Sequence, residues 1–250
     1  MHPDAKTRFS DRVENYVKYR PGYPSALAGL FTGKPPLKIA DIASGTGLFT
    51  EVLLRAGHEV FGVEPNSAMR EAGEDYLREF SRFHSVNGGA EATGLPEKTF
   101  DYVTAAQAFH WFDPLAARAE FLRILKPAGR AAIIWNNRET KSEFGKAYEN
   151  FLNTMSIDYA KVRAEPSRSE ASKRTFFGPA GWELHCFDNK QVLDWTSLWG
   201  RYQSTSYSPK AGDAKLFEAE RELKAIFDRF SHGGNVEIIY ASEVYLGRPS

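Results

Sequence analysis

Several features that define special classes of protein are missing from this chain of 250 residues. Its one cysteine, Cys186, excludes a disulfide within the chain and a thiolate cluster for zinc. The six histidines are scattered, and none pairs with another at helical ligand spacing, so we expect no bound metal. No apolar run approaches the roughly 18 residues that a membrane span requires.

The chain also has no formal net charge at pH 7, because 32 basic side chains balance 32 acidic ones. The chain therefore has no overall field to attract nucleic acid or an anionic membrane, and we expect neither as a partner. The first residues contain no apolar signal segment, so a cytoplasmic location is expected, as a monomer or a homodimer. A small molecule remains as the expected partner.

What the chain does contain is an alternation of short apolar runs with segments of helical period, which predicts an α/β fold with a parallel sheet. The apolar runs predict five strands, over 37–43, 58–65, 83–89, 100–109 and 130–137. A further β-rich segment, 236–247, is expected to return to the same sheet. We expect one domain over 1–250, with a core of about 34–137 plus 235–248 and with lid and substrate elements in 1–30 and 140–232.

The segments between the strands carry clear helix signals. Asn66 and Asp113 are good N-caps, and the second predicts a helix over 114–129 that ends at Gly129. Beyond residue 140 the pattern weakens: 142–155 is predicted to be helical and 156–175 to be a mobile loop, and two more helices are predicted before the last strand.

The stretch DIASGTGLFT, at 41–50, places small residues where the first strand meets the first helix. Gly45 and Gly47 allow a positive φ and let a ligand approach the backbone closely. Taken alone, this pattern also fits a tight turn or a dinucleotide fingerprint. Thr50 at the third small position and Asp41 at the entrance both disfavour a pyrophosphate, whereas Asp41 suits an ammonium group.

Glu64 closes the second predicted strand, where its carboxylate can accept hydrogen bonds from both hydroxyls of a ribose. Together with the glycine loop, it indicates an adenosine ligand that carries an amino-acid-like cation. S-adenosylmethionine fits this description.

The motifs DIASGTG, VEPNSAM, GGAEATGLPEKTFD, AAQAFHWFD, LKPAG and IIWNNR occur in the order and spacing found in one large enzyme family. Over roughly residues 8–140 the chain resembles the class I S-adenosylmethionine-dependent methyltransferases, and most closely their type 11 group, which includes proteins similar to trans-aconitate methyltransferase. The resemblance implies a Rossmann-like, mostly parallel sheet of seven strands, with helices on both faces and a last antiparallel strand.

The resemblance also implies a set of residues that contact the cofactor S-adenosylmethionine. The methionine end would lie against the glycine loop, the ribose on the acid after the second strand, the adenine on the loop after the third strand, and the sulfonium near the end of the fourth. These residues are Asp41, Ala43, Ser44, Gly45, Gly47, Glu64, Pro65, Ala90, Glu91, Ala106 and Gln107.

Two positions depart from the family pattern. Ala43 replaces the usual first glycine, which is tolerable if its φ is negative. Gly89 stands where relatives often carry an aspartate that holds the adenine amine, so the base would depend on backbone contacts or on Glu91.

His110 is the candidate catalytic residue, because it follows the fourth strand at the ligand-bearing edge and histidine titrates near neutral pH. A base is needed for an alcohol acceptor but not for a carboxylate. Aromatic rings and guanidinium groups at the expected pocket edges are candidate substrate contacts: Tyr16, Tyr19, Arg20, Tyr23, Trp111, Arg138 and Arg201.

The sequence thus predicts methyl transfer to a small molecule, with a carboxylate or a hydroxyl as the acceptor group. One alternative is a regulatory protein that binds S-adenosylmethionine without catalysis. An NAD(P)-dependent oxidoreductase is a further alternative, disfavoured by Asp41, by Thr50 and by the lack of a hydride-transfer signature such as Tyr-x-x-x-Lys.

Overall fold

The computed structural model of the protein describes residues 18–34, 36–160, 169–210 and 212–250. These residues contain a sheet of seven strands in the order β3-β2-β1-β4-β5-β7-β6. The strands are β1 (Lys38–Ile42), β2 (Glu59–Val63), β3 (Phe83–Val86), β4 (Phe100–Ala106), β5 (Leu125–Arg138), β6 (Glu183–Leu193) and β7 (Val236–Gly247).

The first five strands are parallel, and β7 runs antiparallel between β5 and β6. This topology confirms the mostly parallel seven-stranded sheet and its antiparallel last strand. The chain moves outward from β1 to β3 and then returns to place β4 on the other side of β1. The strand order therefore reverses between β1 and β4, and ligands of open α/β sheets bind beyond the carboxyl ends of strands at such a point.

Helices cover both faces of the sheet. They are α1 (Leu48–Arg55), α2 (Ser67–Leu77), α3 (Pro114–Ile124), α4 (Glu143–Met155), α5 (Glu170–Phe177), α6 (Trp195–Gln203) and α7 (Ala214–Phe230). The Asn66 side chain accepts a hydrogen bond from the Met69 amide, and the Asp113 side chain accepts from the amides of Leu115 and Ala116. Both predicted N-caps are confirmed.

Among the described residues, the core consists of three apolar clusters. Neighbouring residues of β1 point to opposite faces, so Ala40 packs in a cluster with α3 and α5 while Ile39 packs in one with α1. A third cluster joins α4, α6 and α7 to the start of β7, with Leu152, Leu198 and Leu223 fully buried. This third cluster supports the wall of the cavity described below.

The helix predicted over 114–129 ends earlier, at Ile124, and the chain enters β5 at Leu125. Phe100 pairs with Leu125 and Tyr102 pairs with Arg130, so the residues between Leu125 and Arg130 form a bulge opposite one residue of β4. Pro127 lies in this bulge, where a proline is tolerated because the ladder is already interrupted.

Strand β6 lies in a stretch for which only helices were predicted, and α5 begins inside the predicted loop 156–175. The side chains of β6 alternate between exposed and half-buried, and the half-buried ones include His185, Asn189 and Gln191. Because these side chains are polar, the strand lacks the apolar alternation that marks a half-buried strand.

No helix in the described ranges has the length and hydropathy needed to cross a membrane. Within the same ranges, no three His, Cys, Asp or Glu side chains are grouped so that they could hold a metal ion.

Candidate active site

A cavity of about 390 Å³ opens where the carboxyl ends of β1, β2, β4 and β5 meet. Its wall includes the loops after these strands, the segment around Arg20 and Tyr23, and side chains from α6 and β7. The cavity lies at the switch point of the sheet, as the strand order requires.

The loop after β1 presents its backbone to this cavity. Ala43, Ser44 and Gly45 line the wall, and Gly45 has a φ of 58°. Ala43 has a φ of 54°, not the negative value that would make alanine tolerable at the first motif position. The left-handed conformation brings its Cβ close to the backbone, so this residue is strained.

Gly47 has a different role from Gly45. Its φ is 86°, and a Cβ at this position would lie 2.6 Å from Leu77 Cδ1. Gly47 is the N-cap of α1 and does not line the cavity, so its small size permits the packing of α1 against α2. The predicted contact between Gly47 and the cofactor is therefore not supported by its position.

Glu64 follows β2 and is 7% exposed. Its carboxylate accepts hydrogen bonds from the Gly45 amide (3.0 Å) and the Asn66 amide (2.9 Å), so it joins the glycine loop to the start of α2. Burial raises the pKa of Glu64, and the two amides partly offset this effect. Glu64 and its neighbour Pro65 both line the cavity, as predicted.

Asp41, at the end of β1, is 1% exposed and also lines the cavity. Its two carboxylate oxygens accept hydrogen bonds from Thr50 Oγ1 and Thr104 Oγ1, both at 2.7 Å. Burial raises the pKa of Asp41 to about 6, although the two threonine hydroxyls act in the opposite direction. A cation placed beside this carboxylate would restore its charge at lower pH.

The two residues predicted to hold the adenine do not reach the cavity. Ala90 is fully buried in the apolar cluster beneath α3, and neither it nor Glu91 contributes to the wall. The Glu91 carboxylate instead accepts a hydrogen bond from the Asp113 amide at 3.0 Å. Glu91 therefore fixes the chain just before α3.

The end of β4 does reach the cavity, through Ala106, Gln107, His110 and Trp111. Gln107 has a φ of 56°, and its Nε2 donates to the Asn136 carbonyl at 3.3 Å. The His110 ring packs on Trp111, with ring centres 4.6 Å apart. Ala106 and Gln107, which were predicted to lie near the sulfonium, thus line the same cavity as His110.

The segment Tyr19 to Tyr23 closes one side of the cavity. Arg20 and Tyr23 line it, whereas the ring of Tyr19 packs where a Cβ on Gly200 of α6 would stand. Hydrogen bonds from Asn136 and Asn189 to the Gly22 carbonyl, at 3.1 and 2.9 Å, hold the segment against β5 and β6. Tyr16 lies outside the described residues.

Both remaining arginine candidates line the cavity, with very different surroundings. Arg138 forms an ion pair with Glu149 and donates to Tyr159 Oη at 2.6 Å. Arg201 is 7% exposed, and its Nε and Nη1 have no hydrogen-bond partner.

Other cavity residues were not predicted. They come from several elements distant in sequence and include Met69, Asn136, Asn137, Tyr159 and Tyr240. One signal was available for Asn136, since it follows the apolar run of the fifth predicted strand at the same sheet edge as Gln107. The tyrosines carry no local signal.

Residues 40–133 match the methyltransferase-domain family. An uncharacterised methyltransferase of Mycobacterium tuberculosis is 32% identical over 139 residues, which are 55% of this chain and 56% of that protein. A methyltransferase-like protein of Schizosaccharomyces pombe is 34% identical over 145 residues, 54% of each chain. This chain thus spans about half the length of these relatives.

Likeness over a greater length is found at lower identity. A protein of Dictyostelium discoideum named as a methyltransferase is 26% identical over 244 residues, 88% of each chain. A solved structure from Anaeromyxobacter dehalogenans, named for a type II methyltransferase, superposes with a TM-score of 0.68 at 22% identity and covers 92% of this chain and 98% of that one. The latter establishes the likeness of the fold.

The likeness to trans-aconitate methyltransferases stays a prediction, because none of these relatives carries that name. The domain match and the related sequences point to one broad class of enzyme, and the solved structure agrees with them in fold. Residues 40–133 of this chain thus match the methyltransferase-domain family.

Proposed function

We propose that the chain binds S-adenosylmethionine in this cavity and transfers its methyl group to a small-molecule acceptor, at a carboxylate or a hydroxyl oxygen. One observation carries the proposal: a single cavity is lined by Gly45, by the buried carboxylates of Glu64 and Asp41, and by His110. The two carboxylates suit the ribose hydroxyls and the ammonium of the cofactor.

The residues present fit the cofactor in two respects. Each Glu64 oxygen accepts one backbone amide, which leaves a lone pair on each for a ribose hydroxyl. The buried Asp41 carboxylate would gain a counterion from the ammonium of the methionine part. The adenine position remains unassigned to side chains, since Ala90 and Glu91 lie outside the cavity.

The cofactor supplies a methyl group on a positively charged sulfur, so an acceptor lone pair can form the new bond to carbon as the carbon–sulfur bond breaks and its electrons return to sulfur. The protein's tasks are therefore to align the acceptor and to exclude water. The segment Tyr19 to Tyr23 supports the second task, because it is held over the cavity by the side-chain amides of Asn136 and Asn189.

His110 is the candidate base for a hydroxyl acceptor. It lines the cavity from the short helical turn Phe109–Trp111 that follows β4, and its ring packs against Trp111 and Trp135. A carboxylate acceptor carries no proton at neutral pH, so with such an acceptor His110 would have only a positioning role.

Two relatives support a small-molecule acceptor. A demethylmenaquinone methyltransferase of Anoxybacillus flavithermus is 28% identical over 151 residues, 56% of this chain and 64% of that one. A geranyl diphosphate C-methyltransferase of Streptomyces coelicolor, solved with S-adenosyl-L-homocysteine, superposes with a TM-score of 0.50 at 15% identity. Since the second is named for transfer to carbon, the choice of oxygen depends on this chain's own residues.

The proposal is tested by calorimetric titration with S-adenosylhomocysteine and with NAD⁺, followed by thermal denaturation. A ligand at one hundred times its dissociation constant adds about 2.7 kcal/mol of stability, and we expect this only with S-adenosylhomocysteine. Stabilisation by NAD⁺ instead would contradict the proposal. Methyl transfer is then followed as release of S-adenosylhomocysteine with mixtures of small acids and alcohols; cofactor binding without any transfer would favour the regulatory alternative.

A further inference from the structure

Arg201 is a buried cation that the structure leaves without an anion. It lies on α6, is 7% exposed and lines the cavity. Its Nε and Nη1 are buried and make no hydrogen bond, and no described Asp or Glu forms an ion pair with it. Nearly all buried polar groups in proteins find a partner, so two unpartnered donors on one side chain require an explanation.

Arg138, in the same cavity, also has a buried Nε without a hydrogen-bond partner, but unlike Arg201 it has a counterion. Its charge is balanced by Glu149, and both side chains are mostly buried, at 12% and 16% exposure. Tyr159 completes the arrangement, since its hydroxyl accepts from Arg138 at 2.6 Å and donates to Glu149 at 2.9 Å. The positive charge of Arg138 is therefore balanced by a carboxylate of the protein, whereas that of Arg201 is not.

The groups that face Arg201 are phenols, and one of them, Tyr240, shares a side-chain hydrogen bond with it. Burial alone lowers the pKa of Arg201, but the oxygens of Tyr240, Tyr148 and Tyr207 outweigh this effect, and the guanidinium stays charged. Tyrosine hydroxyls can donate to an anion once it is present. The surroundings thus suit a planar anion bound between a guanidinium and hydroxyl groups.

We propose that Arg201 binds a carboxylate of the methyl acceptor, and that this carboxylate is retained in the methylated product. This inference rests on the proposed function, because it concerns the acceptor part of the same cavity. A carboxylate that accepts hydrogen bonds from a buried guanidinium has its lone pairs engaged and is a poor nucleophile. It therefore orients the acceptor, and a second group of the same molecule receives the methyl group.

The test measures binding of succinate to protein saturated with S-adenosylhomocysteine, by calorimetry. Succinamide serves as the uncharged probe of similar size, and inorganic phosphate serves as an anion of a different class. Arg201→Met removes the charge at similar length, Arg201→Lys keeps it, and Arg221→Met on the exposed face of α7 is the matched control.

We expect succinate to bind the wild-type chain and Arg221→Met equally, to bind Arg201→Met at least tenfold more weakly, and to bind Arg201→Lys with intermediate affinity. Equal binding to Arg201→Met, binding of succinamide as tight as that of succinate, or preference for phosphate would each overturn the inference. So would the failure of succinate, glutarate and citrate alike to bind the wild-type chain. Affinity for S-adenosylhomocysteine alone, measured first, reports separately on the proposed function.

Discussion

The two ends of the cavity differ in whether their charged side chains have partners within the protein. At the end formed by β1 and β2, the chain satisfies its own charged groups: Glu64 is held by two backbone amides and Asp41 by two threonine hydroxyls. At the end formed by α6 and β7, Arg201 remains without a counterion. The charged groups of the first end are therefore in place before any ligand arrives, whereas Arg201 would gain its counterion only from the carboxylate that we propose.

The largest expected effect distinguishes Gly45 from Gly47, the two glycines of the loop after β1. Gly45→Val places a branched side chain on a left-handed residue of the cavity wall, and we expect cofactor binding to fall below detection in a folded protein. Gly47→Val should instead unfold the chain at lower temperature, because its Cβ would meet Leu77. Calorimetry and circular dichroism on both variants check this; unfolding of Gly45→Val would make that glycine structural as well.

The second comparison concerns the two cavity arginines. Arg138→Met leaves Glu149 buried without its partner and should lower the free energy of unfolding by about 3 kcal/mol. Arg201→Met removes an uncompensated charge and should leave the ligand-free protein unchanged or raise its stability by about 1 kcal/mol. Urea titration of both variants measures the difference, and equal losses would mean that Arg201 has a partner in solution.

A third prediction tests the predicted ribose contact. Glu64→Gln should weaken binding of S-adenosylhomocysteine by about 1.5–3 kcal/mol, the range for a hydrogen bond to a charged group. Glu59→Gln, at the other end of β2, is the matched control and should bind as the wild-type chain does. If the two variants bind equally well in calorimetry, Glu64 only braces the glycine loop.

The smallest expected effect is a pH dependence from Asp41. Its pKa is raised from 3.8 to about 6 in the fold, so the ligand-free protein loses stability as pH rises from 4 to 6. A bound ammonium favours the ionised form, so cofactor affinity should rise by up to about tenfold per pH unit below 6 and level off above 7.

Asp41→Asn isolates this contribution from that of Glu64, whose pKa is also raised by burial. Titrations between pH 5 and 8 should show a flatter dependence in this variant than in the wild-type chain. Parallel curves would assign the pH dependence to Glu64 and remove Asp41 as the ammonium partner.

The sequence predicts features that depend on neighbouring residues better than features that depend on contacts distant in sequence. The caps Asn66 and Asp113 act on amides no more than three positions away, and the glycine loop is a local pattern of small residues, so all were recognised. Glu64 was recognised from its place at the end of β2, although one of its contacts, the Gly45 amide, is distant in sequence. For Ala90 and Glu91 the adenine contact stays a prediction: neither lines the cavity, and Glu91 accepts a hydrogen bond from the Asp113 amide, which is distant in sequence.

The acceptor end could be predicted only in part, since Tyr159, Tyr207 and Tyr240 meet there from segments far apart in the chain. Strand β6 was not predicted for a related reason. It lies at the sheet edge with half-buried polar side chains, so its place depends on pairing with β7 and not on its own hydrophobic pattern.

Ala43 and Gln107 end adjacent strands in left-handed conformations, with φ of 54° and 56°. Each such residue costs about 1–2 kcal/mol of conformational energy. Glycine or asparagine would relieve this cost, while valine, isoleucine or threonine would increase it. The range of side chains that mutation or directed evolution can sample here is therefore limited by backbone geometry before any ligand imposes its own selection.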